Sequence, residues 1–208
     1  EIIDYLDGRG VKLVVIACNT LTVLGVDTLK GSHAFEIVGM SKGAQLVLAA
    51  SSRKKIGVFA TEFTINSGAH KAAILAADDG ADVYPQACPK FVPLIEGEQF
   101  DGAEVRAAVA EYAAPLKAAG IDTLILSCTH YPFIQKEIES EFGSEVTVID
   151  PADATAQDTK TVLAAEGLLR SEGAGTLEVC FTADVERGAR IAGRVLPQGK
   201  CLFKEIKL

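Results

Sequence analysis

The hydrophobic positions of the chain follow two patterns that alternate along its length. Short continuous runs of aliphatic residues, such as 12–17 and 122–127, are typical of strands buried on both faces. Between these runs, apolar residues recur every three or four positions, as they do in amphipathic helices. The alternation predicts an α/β protein with mainly parallel sheets flanked by helices. The predicted strands are 12–17, 36–39, 55–60, 82–87, 122–127, 146–150, 176–182 and 200–207, and the predicted helices are 21–30, 41–52, 65–79, 102–119, 133–142, 153–169 and 185–195.

Three segments depart from this alternation. The acidic, amphipathic residues 1–6 are typical of the last turns of a helix. Residues 88–97 are interrupted by two prolines and are predicted to be irregular. Residues 173–175 contain two glycines, but they precede a strand rather than a helix and predict a turn. The sequence contains no glycine-rich motif of the kinds that commonly bind phosphate.

Composition narrows the class of protein. The chain has 208 residues, of which 49% are hydrophobic, so it can bury a core without disulfides or metal. Its net charge of −8, with no basic stripe, argues against a nucleic-acid partner, and no apolar run approaches the roughly 20 residues of a membrane span. Five cysteines without a C-x-x-C pair predict free thiols in the cytoplasm, and three scattered histidines argue against a metal site.

Two of the predicted strands end in a similar way, with a small residue, a cysteine and two hydrogen-bonding residues. In parallel sheets, ligands bind outside the carboxyl ends of the strands, where helices begin. If the two strands belong to facing lobes, the two thiols flank one ligand. A helix N-terminus lowers a thiol pKa by only about one unit at most, so such a site also needs polar neighbours. The two segments are Leu13-Val-Val-Ile-Ala-Cys18-Asn19-Thr20 and Thr123-Leu-Ile-Leu-Ser-Cys128-Thr129-His130.

Other residues of the same types have simpler interpretations. A cysteine at the end of a strand is often only a small core residue, and this is the favoured interpretation for the three remaining cysteines. His33 and His70 are expected at the surface. Thr61 and Thr64 follow the strand 55–60, where they can cap the next helix or bind a carboxylate. The remaining cysteines are Cys88, Cys180 and Cys201.

The cysteine segments together resemble the paired signatures of glutamate racemases, in the aspartate/glutamate racemase superfamily. The Thr-His-Tyr-Pro form of the second segment is similar to the glutamate members rather than the aspartate members. The resemblance extends over most of the chain, through Gly57-Val-Phe-Ala-Thr61, Thr64-Ile-Asn-Ser67, Cys88-Pro89 to Glu96, and Ile149-Asp150-Pro-Ala-Asp-Ala-Thr155-Ala.

The resemblance implies a cofactor-independent racemase that interconverts L- and D-glutamate and supplies D-glutamate for peptidoglycan. Cys18 and Cys128 would exchange protons with opposite faces of the substrate Cα, and His130 would assist Cys128. It implies no metal. The residues that the resemblance assigns to binding the amino and carboxylate groups of the substrate are Asn19, Thr20, Thr61, Thr64 and Thr129.

The resemblance also implies an architecture of two similar lobes with the active site in the cleft between them. Residues 1–39 and 151–208 are predicted to form a discontinuous first lobe, and residues 40–150 the second lobe. Family members have an upstream segment with an Asp-Ser signature and a Tyr-Gly loop, and neither occurs in these 208 residues. We therefore expect a chain truncated at its N-terminus, weakly active, and prone to form a homodimer through an open sheet edge.

Three alternatives stay open at this point. The protein could be an aspartate or hydantoin racemase of the same superfamily, which substrate competition would distinguish. It could be a non-catalytic module that binds small acids, in which the cysteines only pack. A hydrolase based on Cys128 and His130 is a third alternative, although residues two positions apart rarely reach nucleophile–base geometry.

Overall fold

A computed structural model describes residues 1–29, 31–173, 175–196 and 201–208, and every strand pairing within these ranges is parallel. The strands are β1 (Leu13–Ile16), β2 (Glu36–Gly39), β3 (Lys55–Ala60), β4 (Asp82–Ala87), β5 (Thr123–Ser127), β6 (Thr147–Ile149), β7 (Leu177–Phe181) and β8 (Cys201–Glu205). The helices are α1 (Ile2–Gly8), α2 (Asn19–Leu29), α3 (Ala44–Ala50), α4 (Glu62–Asn66), α5 (Ala69–Ala77), α6 (Phe91–Glu96), α7 (Ala103–Ala119), α8 (Gln135–Phe142), α9 (Ala152–Ala165) and α10 (Val185–Ala192). The predicted helix 21–30, turn 173–175 and strand 200–207 each include a residue outside the described ranges, namely Lys30, Ala174 and Lys200.

The largest sheet has four strands in the order β4-β3-β5-β6. Its central strands, β3 and β5, are buried along nearly their whole length, which explains their continuous apolar sequences. One face packs against α6, α7 and α8, and the other against α3 and α5. The register pairs Ala60 with Ser127, so β3 and β5 end side by side.

The rest of the protein contains two pairs of strands, β1–β2 and β7–β8. Helices α1 and α2 cover the first pair around Val14 and Ile37, and α9 packs against β2. Helix α10 packs against β7 and β8 at a glycine, since a Cβ atom on Gly188 would lie only 2.2 Å from Cε1 of Phe181. This close approach fixes the position of α10 on its strands.

The chain passes between the four-stranded sheet and the rest of the protein twice, near Ser41 and near Pro151, and these two points are neighbours in space. The backbone N–H of Ser41 donates to Oγ1 of Thr155 over 3.0 Å, and that hydroxyl also donates to the carbonyl of Pro151. This contact supports the predicted division into residues 1–39 with 151–208 and residues 40–150, which we keep as a proposal. The α/β class with parallel sheets is confirmed.

Three local predictions are wrong. Residues 88–97 are not irregular, because they include α6; Pro93 lies in the first turn of that helix, where a backbone N–H needs no partner within the helix. The predicted helix 65–79 is two helices, because Gly68 adopts a positive φ of 66° between α4 and α5. His70 is also not at the surface, since the face of α5 that holds it packs inward and leaves it 4% exposed.

Candidate functional site

A series of neighbouring residues and strands links the two strand-end cysteines. Cys18 lies between β1 and α2, two residues before Thr20. The Thr20 hydroxyl lies 2.9 Å from that of Thr61, which directly follows β3. β3 is the neighbour of β5, and Cys128 directly follows β5. Both thiols therefore lie at carboxyl ends of parallel strands, where the sequence predicted them.

Three threonine hydroxyls form a triangle beside these strand ends. Oγ1 of Thr20 is 2.9 Å from that of Thr61 and 3.2 Å from that of Thr64, and the last two are 3.0 Å apart. Thr61 also caps α4, because its side chain accepts from the backbone N–H of Thr64. The capping and the site interpretations of these residues are therefore compatible. Each hydroxyl can turn its hydrogen from its neighbours toward a carboxylate.

Cys128 is a buried thiol, with 8% of its surface exposed. Burial raises its pKa to about 11, the backbone N–H groups of His130 and Tyr131 lower it, and the nearby Cys18 raises it. Cys18 is half-buried and close enough for its charge to affect Cys128. Repulsion between two nearby thiolates disfavours the state in which both cysteines are ionised.

His130 connects Cys128 to a carboxylate that sequence reasoning did not assign to the site. Its Nδ1 lies 3.9 Å from Sγ of Cys128, and its Nε2 lies 2.7 Å from Oε1 of Glu96. An ionised carboxylate only accepts hydrogen bonds, so Nε2 donates. In the neutral ring Nδ1 is then an acceptor directed at the thiol, which is the orientation required of a base.

Glu96 ends α6 and is held from two sides. The His130 ring holds the pKa of this carboxyl below its usual range, burial acts in the opposite direction, and Arg187 lowers it further. Arg187 donates from Nη2 to Oε2, the oxygen that His130 does not use. Glu96 is the last residue of a stretch that resembles the family, and this resemblance was the one sequence feature that could have pointed to it. Arg187 gave no signal, because it lies in α10, far along the chain.

The remaining predicted site residues differ in their surroundings. Asn19 is 3% exposed, and its Nδ2 has no hydrogen-bond partner within the described part of the chain. The hydroxyl of Ser127, just before Cys128, is also buried and has no hydrogen-bond partner within the described residues. Such buried donors are costly unless a ligand or water satisfies them. Thr129, next to the Cys128 thiol, is exposed. The other predicted site residues are all at least partly buried.

Cys18 also borders a cavity of about 920 Å³ that is mostly apolar and lies between α1, β1 and α2. In the described ranges, no group of three or more histidine, cysteine, aspartate or glutamate residues is arranged to hold a metal ion. None of the helices described is long and apolar enough to cross a membrane.

Two thiols at the carboxyl ends of parallel strands, with a cluster of threonine hydroxyls beside those ends, are typical of a small-molecule enzyme with an acid–base site. Residues 1–159 match the Asp/Glu/Hydantoin racemase family. The chain belongs to this family, and the prediction that it is an isomerase is confirmed.

Individual relatives agree with this assignment. The chain is 37% identical over 205 residues to a glutamate racemase of Lysinibacillus sphaericus, covering 98% of this chain and 77% of the relative. It is 40% identical over 183 residues to a glutamate racemase of Aquifex aeolicus, covering 88% and 68%.

Solved structures are similar as well. A glutamate racemase isoform from Bacillus anthracis superposes with a TM-score of 0.86 at 31% identity, covering 93% of this chain and 73% of that one. A glutamate racemase from Francisella tularensis in complex with D-glutamate gives a TM-score of 0.83 at 26% identity, covering 98% and 76%. The predicted two-lobed α/β fold class is confirmed by this similarity.

Proposed function

We propose that the protein interconverts L- and D-glutamate without a cofactor, using Cys18 and Cys128 as the two acid–base groups. The observation on which the proposal depends is that Cys18 and Cys128 both follow the carboxyl ends of parallel strands, which the Thr20–Thr61 contact links to each other. Two thiols on opposite sides of one site suit a reaction in which a proton leaves one face of a carbon and another arrives at the opposite face.

The proposed step requires one cysteine to be a thiolate and the other a thiol. The thiolate removes the α-proton, and the electron pair of the C–H bond moves to Cα and into the adjacent carboxyl group. The opposite thiol then gives its proton to Cα from the other face, so one S–H bond forms as the other breaks. With a pKa of about 11, Cys128 is a thiol before substrate binds and is ready to donate.

In the reverse direction Cys128 must lose its proton. Nδ1 of His130 lies 3.9 Å from Sγ, and Glu96 holds the ring in the orientation that makes this nitrogen an acceptor. The positive charge of the substrate ammonium group also favours the thiolate. We propose His130 as the group that assists Cys128 in this way.

Substrate binding is assigned to the side chains around the thiols. The hydroxyl triangle of Thr20, Thr61 and Thr64 offers several donors for a carboxylate, and the unpartnered Nδ2 of Asn19 offers another. Thr129 is kept as a substrate-binding residue because of its position beside Cys128. Glutamate is the proposed substrate because the relatives described above are named glutamate racemase.

The test is the loss of the α-proton NMR signal of L-glutamate in D₂O. We expect the wild-type chain and the Cys180→Ala control to exchange this proton, and slow exchange is sufficient because the loss accumulates with time. Cys18→Ala and Cys128→Ala should each abolish it. In a two-base reaction, deuterium enters the D-glutamate product before it enters the remaining L-glutamate.

Three results would contradict the proposal. One is glutamate binding, measured by calorimetry, without any exchange, which favours a binding module. Another is exchange that survives either cysteine substitution. The third is faster exchange of L-aspartate than of L-glutamate, which would overturn the substrate and favour an aspartate racemase.

A role in supplying D-glutamate for peptidoglycan, a cytoplasmic location and a homodimer stay predictions. Among the described strands, β1 pairs only with β2, and Val15 on it is 39% exposed, which supports association through this edge. Light scattering after gel filtration tests the homodimer, and a monomer at micromolar concentration would contradict it.

A further inference from the structure

Three arginines in and just after α10 contact one short segment of the other lobe. Arg190 forms an ion pair with Glu98, with Nη2 2.7 Å from Oε1. The guanidinium of Arg194 lies 3.9 Å from the centroid of the Phe100 ring. Arg190 and Arg194 follow Arg187 by three and seven residues, and this spacing directs all three toward the same side of the helix. The segment that they contact comprises Glu96, Glu98 and Phe100.

Arg187 differs from the other two because its partner also contacts the thiol site. It donates to Oε2 of Glu96, while His130 donates to Oε1 of the same carboxylate over 2.7 Å. Each oxygen of Glu96 therefore has its own donor, which leaves the carboxylate little freedom to rotate. A continuous series of contacts runs from Arg187 through Glu96 and His130 to Cys128.

Exposure indicates what this pair can contribute. The side chains of Arg187 and Glu96 are 43% and 39% exposed, and ion pairs at such exposure contribute little to stability. The position of Arg187 is nevertheless well defined, since the neighbouring Gly188 lies directly against Phe181 and the Arg190 pair holds the next turn. The pair is therefore suited to orienting Glu96 rather than to holding the fold together.

We propose that Arg187 is a positioning residue for the thiol site, which orients Glu96 and through it the proton-accepting face of His130 toward Cys128. The proposal rests on the function proposed above. It implies that the site is fully ordered only when α10 contacts the segment 96–100, so α10 couples the contact between the lobes to the chemistry of one of the two thiols. Arg190 and Arg194 hold the same surfaces together without touching Glu96.

The experiment compares Arg187→Gln with Arg190→Gln as the matched control and Arg187→Lys as the conservative variant. Arg187→Gln should lower kcat about tenfold, the usual effect of removing a hydrogen bond to a charged group, with KM changed less than twofold. Arg187→Lys should recover part of the loss. Arg190→Gln should keep the wild-type kcat, although it breaks an ion pair on the same helix.

The pH profile gives a readout that a merely structural role would not change. Arg187 is one of two groups that lower the pKa of Glu96, the other being His130. Its removal should therefore move the acidic limb of the activity profile to higher pH in Arg187→Gln only. Racemisation has an equilibrium constant of one, so kcat/KM must fall equally for both enantiomers and cannot identify the affected thiol. The primary deuterium isotope effect can identify it, because it should increase only for the enantiomer whose proton Cys128 removes.

Two outcomes would overturn the proposal. If Arg187→Gln keeps the wild-type kcat and pH profile, Arg187 does not act on the site. If Arg190→Gln loses as much activity as Arg187→Gln, the contact is only structural. A wild-type chain that exchanges no α-proton would instead count against the proposed function.

A spectroscopic measurement decides the positioning role without reference to activity. The chain has three histidines, so the ¹⁵N imidazole signals of His130 can be assigned by their loss in His130→Gln. We expect these signals to shift in Arg187→Gln and to stay at their wild-type positions in Arg190→Gln. Unchanged His130 signals in Arg187→Gln would overturn the proposal whether or not the chain is active.

Discussion

The hydroxyl of Thr20 lies 2.9 Å from the hydroxyl of Thr61, although 41 residues separate them in the chain. Thr20 belongs to the turn of helix after Cys18, and Thr61 to the end of a strand in the four-stranded sheet. The bond joins the two predicted lobes, and the hydroxyls that form it are also available to a substrate carboxylate. Closing the lobes and binding the substrate therefore depend on the same atoms.

Replacing Thr20 by Val should weaken glutamate binding about tenfold. Val keeps the shape of the side chain but removes the hydroxyl, and a hydrogen bond to a charged group contributes about 1.5–3 kcal/mol. Titration calorimetry measures the effect. The control is Thr161→Val, which removes a hydroxyl bonded within the exposed part of α9. Equal affinities for Thr20→Val and wild type would show that the triangle does not bind substrate.

Asp122 should make the protein sensitive to acid. Burial alone would raise the pKa of this carboxyl, but hydrogen bonds from Ser51, Ser52 and the backbone N–H of Arg53 outweigh it and lower the pKa below the ordinary 3.8. A lowered pKa means that the carboxylate stabilises the fold above about pH 4 and that this stability is lost as the pH falls through the folded-state value.

Asp122→Asn should therefore cost about 1–3 kcal/mol at pH 7 and less at pH 3, because below the ordinary pKa of 3.8 the unfolded chain takes up a proton and the stabilising effect of the carboxylate declines. Urea unfolding at both pH values measures the difference. Asp79→Asn, at an exposed position two residues after the end of α5, is the control and should have little effect. A cost that is the same at pH 3 and pH 7 would contradict this account.

His70 should destabilise the fold progressively below pH 6.5. Burial lowers its pKa to about 4, Lys42 adds to the effect, and neither ring nitrogen has a partner among the described residues. In the unfolded chain His70 takes up a proton near pH 6.5, whereas in the folded chain it stays neutral until about pH 4. Stability therefore falls as the pH drops from 6.5 toward 4. At pH 5 this amounts to roughly 2 kcal/mol, from 1.36 kcal/mol per pKa unit.

The corresponding experiment is His70→Leu. The free energy of unfolding of this variant, minus that of wild type, should increase by roughly 2 kcal/mol between pH 8 and pH 5, because only wild type loses stability over this range. Ile74→Val, on the same buried face of α5, should shift stability by about 0.5–1.5 kcal/mol independently of pH. A His70→Leu effect that stays constant with pH would contradict this account, because it would mean that the ring takes up its proton as readily in the folded as in the unfolded protein.

Gly188→Ala should destabilise the protein by about 1–3 kcal/mol, because the new Cβ would lie 2.2 Å from Cε1 of Phe181 and either the ring or α10 must move. Gly8→Ala is the control with the opposite sign. Nothing lies within 4 Å of a Cβ there, so the substitution should stabilise α1 by about 0.5–1 kcal/mol. Thermal unfolding measures both, and a neutral Gly188→Ala would contradict the close packing of α10.

The strands and the cysteine positions could be predicted from sequence because their signals are local. A strand buried on both faces, such as β5, is a continuous apolar run, and parallel strands all present their carboxyl ends on one side. The inward burial of His70 was not predictable, because the surrounding helix is rich in alanine and has no clear apolar face. The helix at Phe91–Glu96 was missed because a proline in the first turn has the same sequence signature as a proline in a loop.

The contacts around Cys128 show where the sequence alone is insufficient. Cys128 and His130 were identified from neighbouring positions, and they approach to 3.9 Å because the chain turns just after β5. Glu96 is 34 residues from His130, and Arg187 is 91 residues from Glu96. Contacts at such separations depend on how whole elements pack, and no periodicity or spacing within the sequence encodes them.

The four-stranded sheet is formed by the continuous residues 55–149, and α10 follows it in the chain. On the ribosome, which adds roughly 5–20 residues per second, this sheet leaves the exit tunnel several seconds before α10 leaves it. Glu96 and His130 can pair within the newly folded sheet, while Glu96 faces water on its other side. The guanidinium of Arg187 reaches that carboxylate only after α10 has emerged, so the thiol site is ordered later than the sheet that carries Cys128.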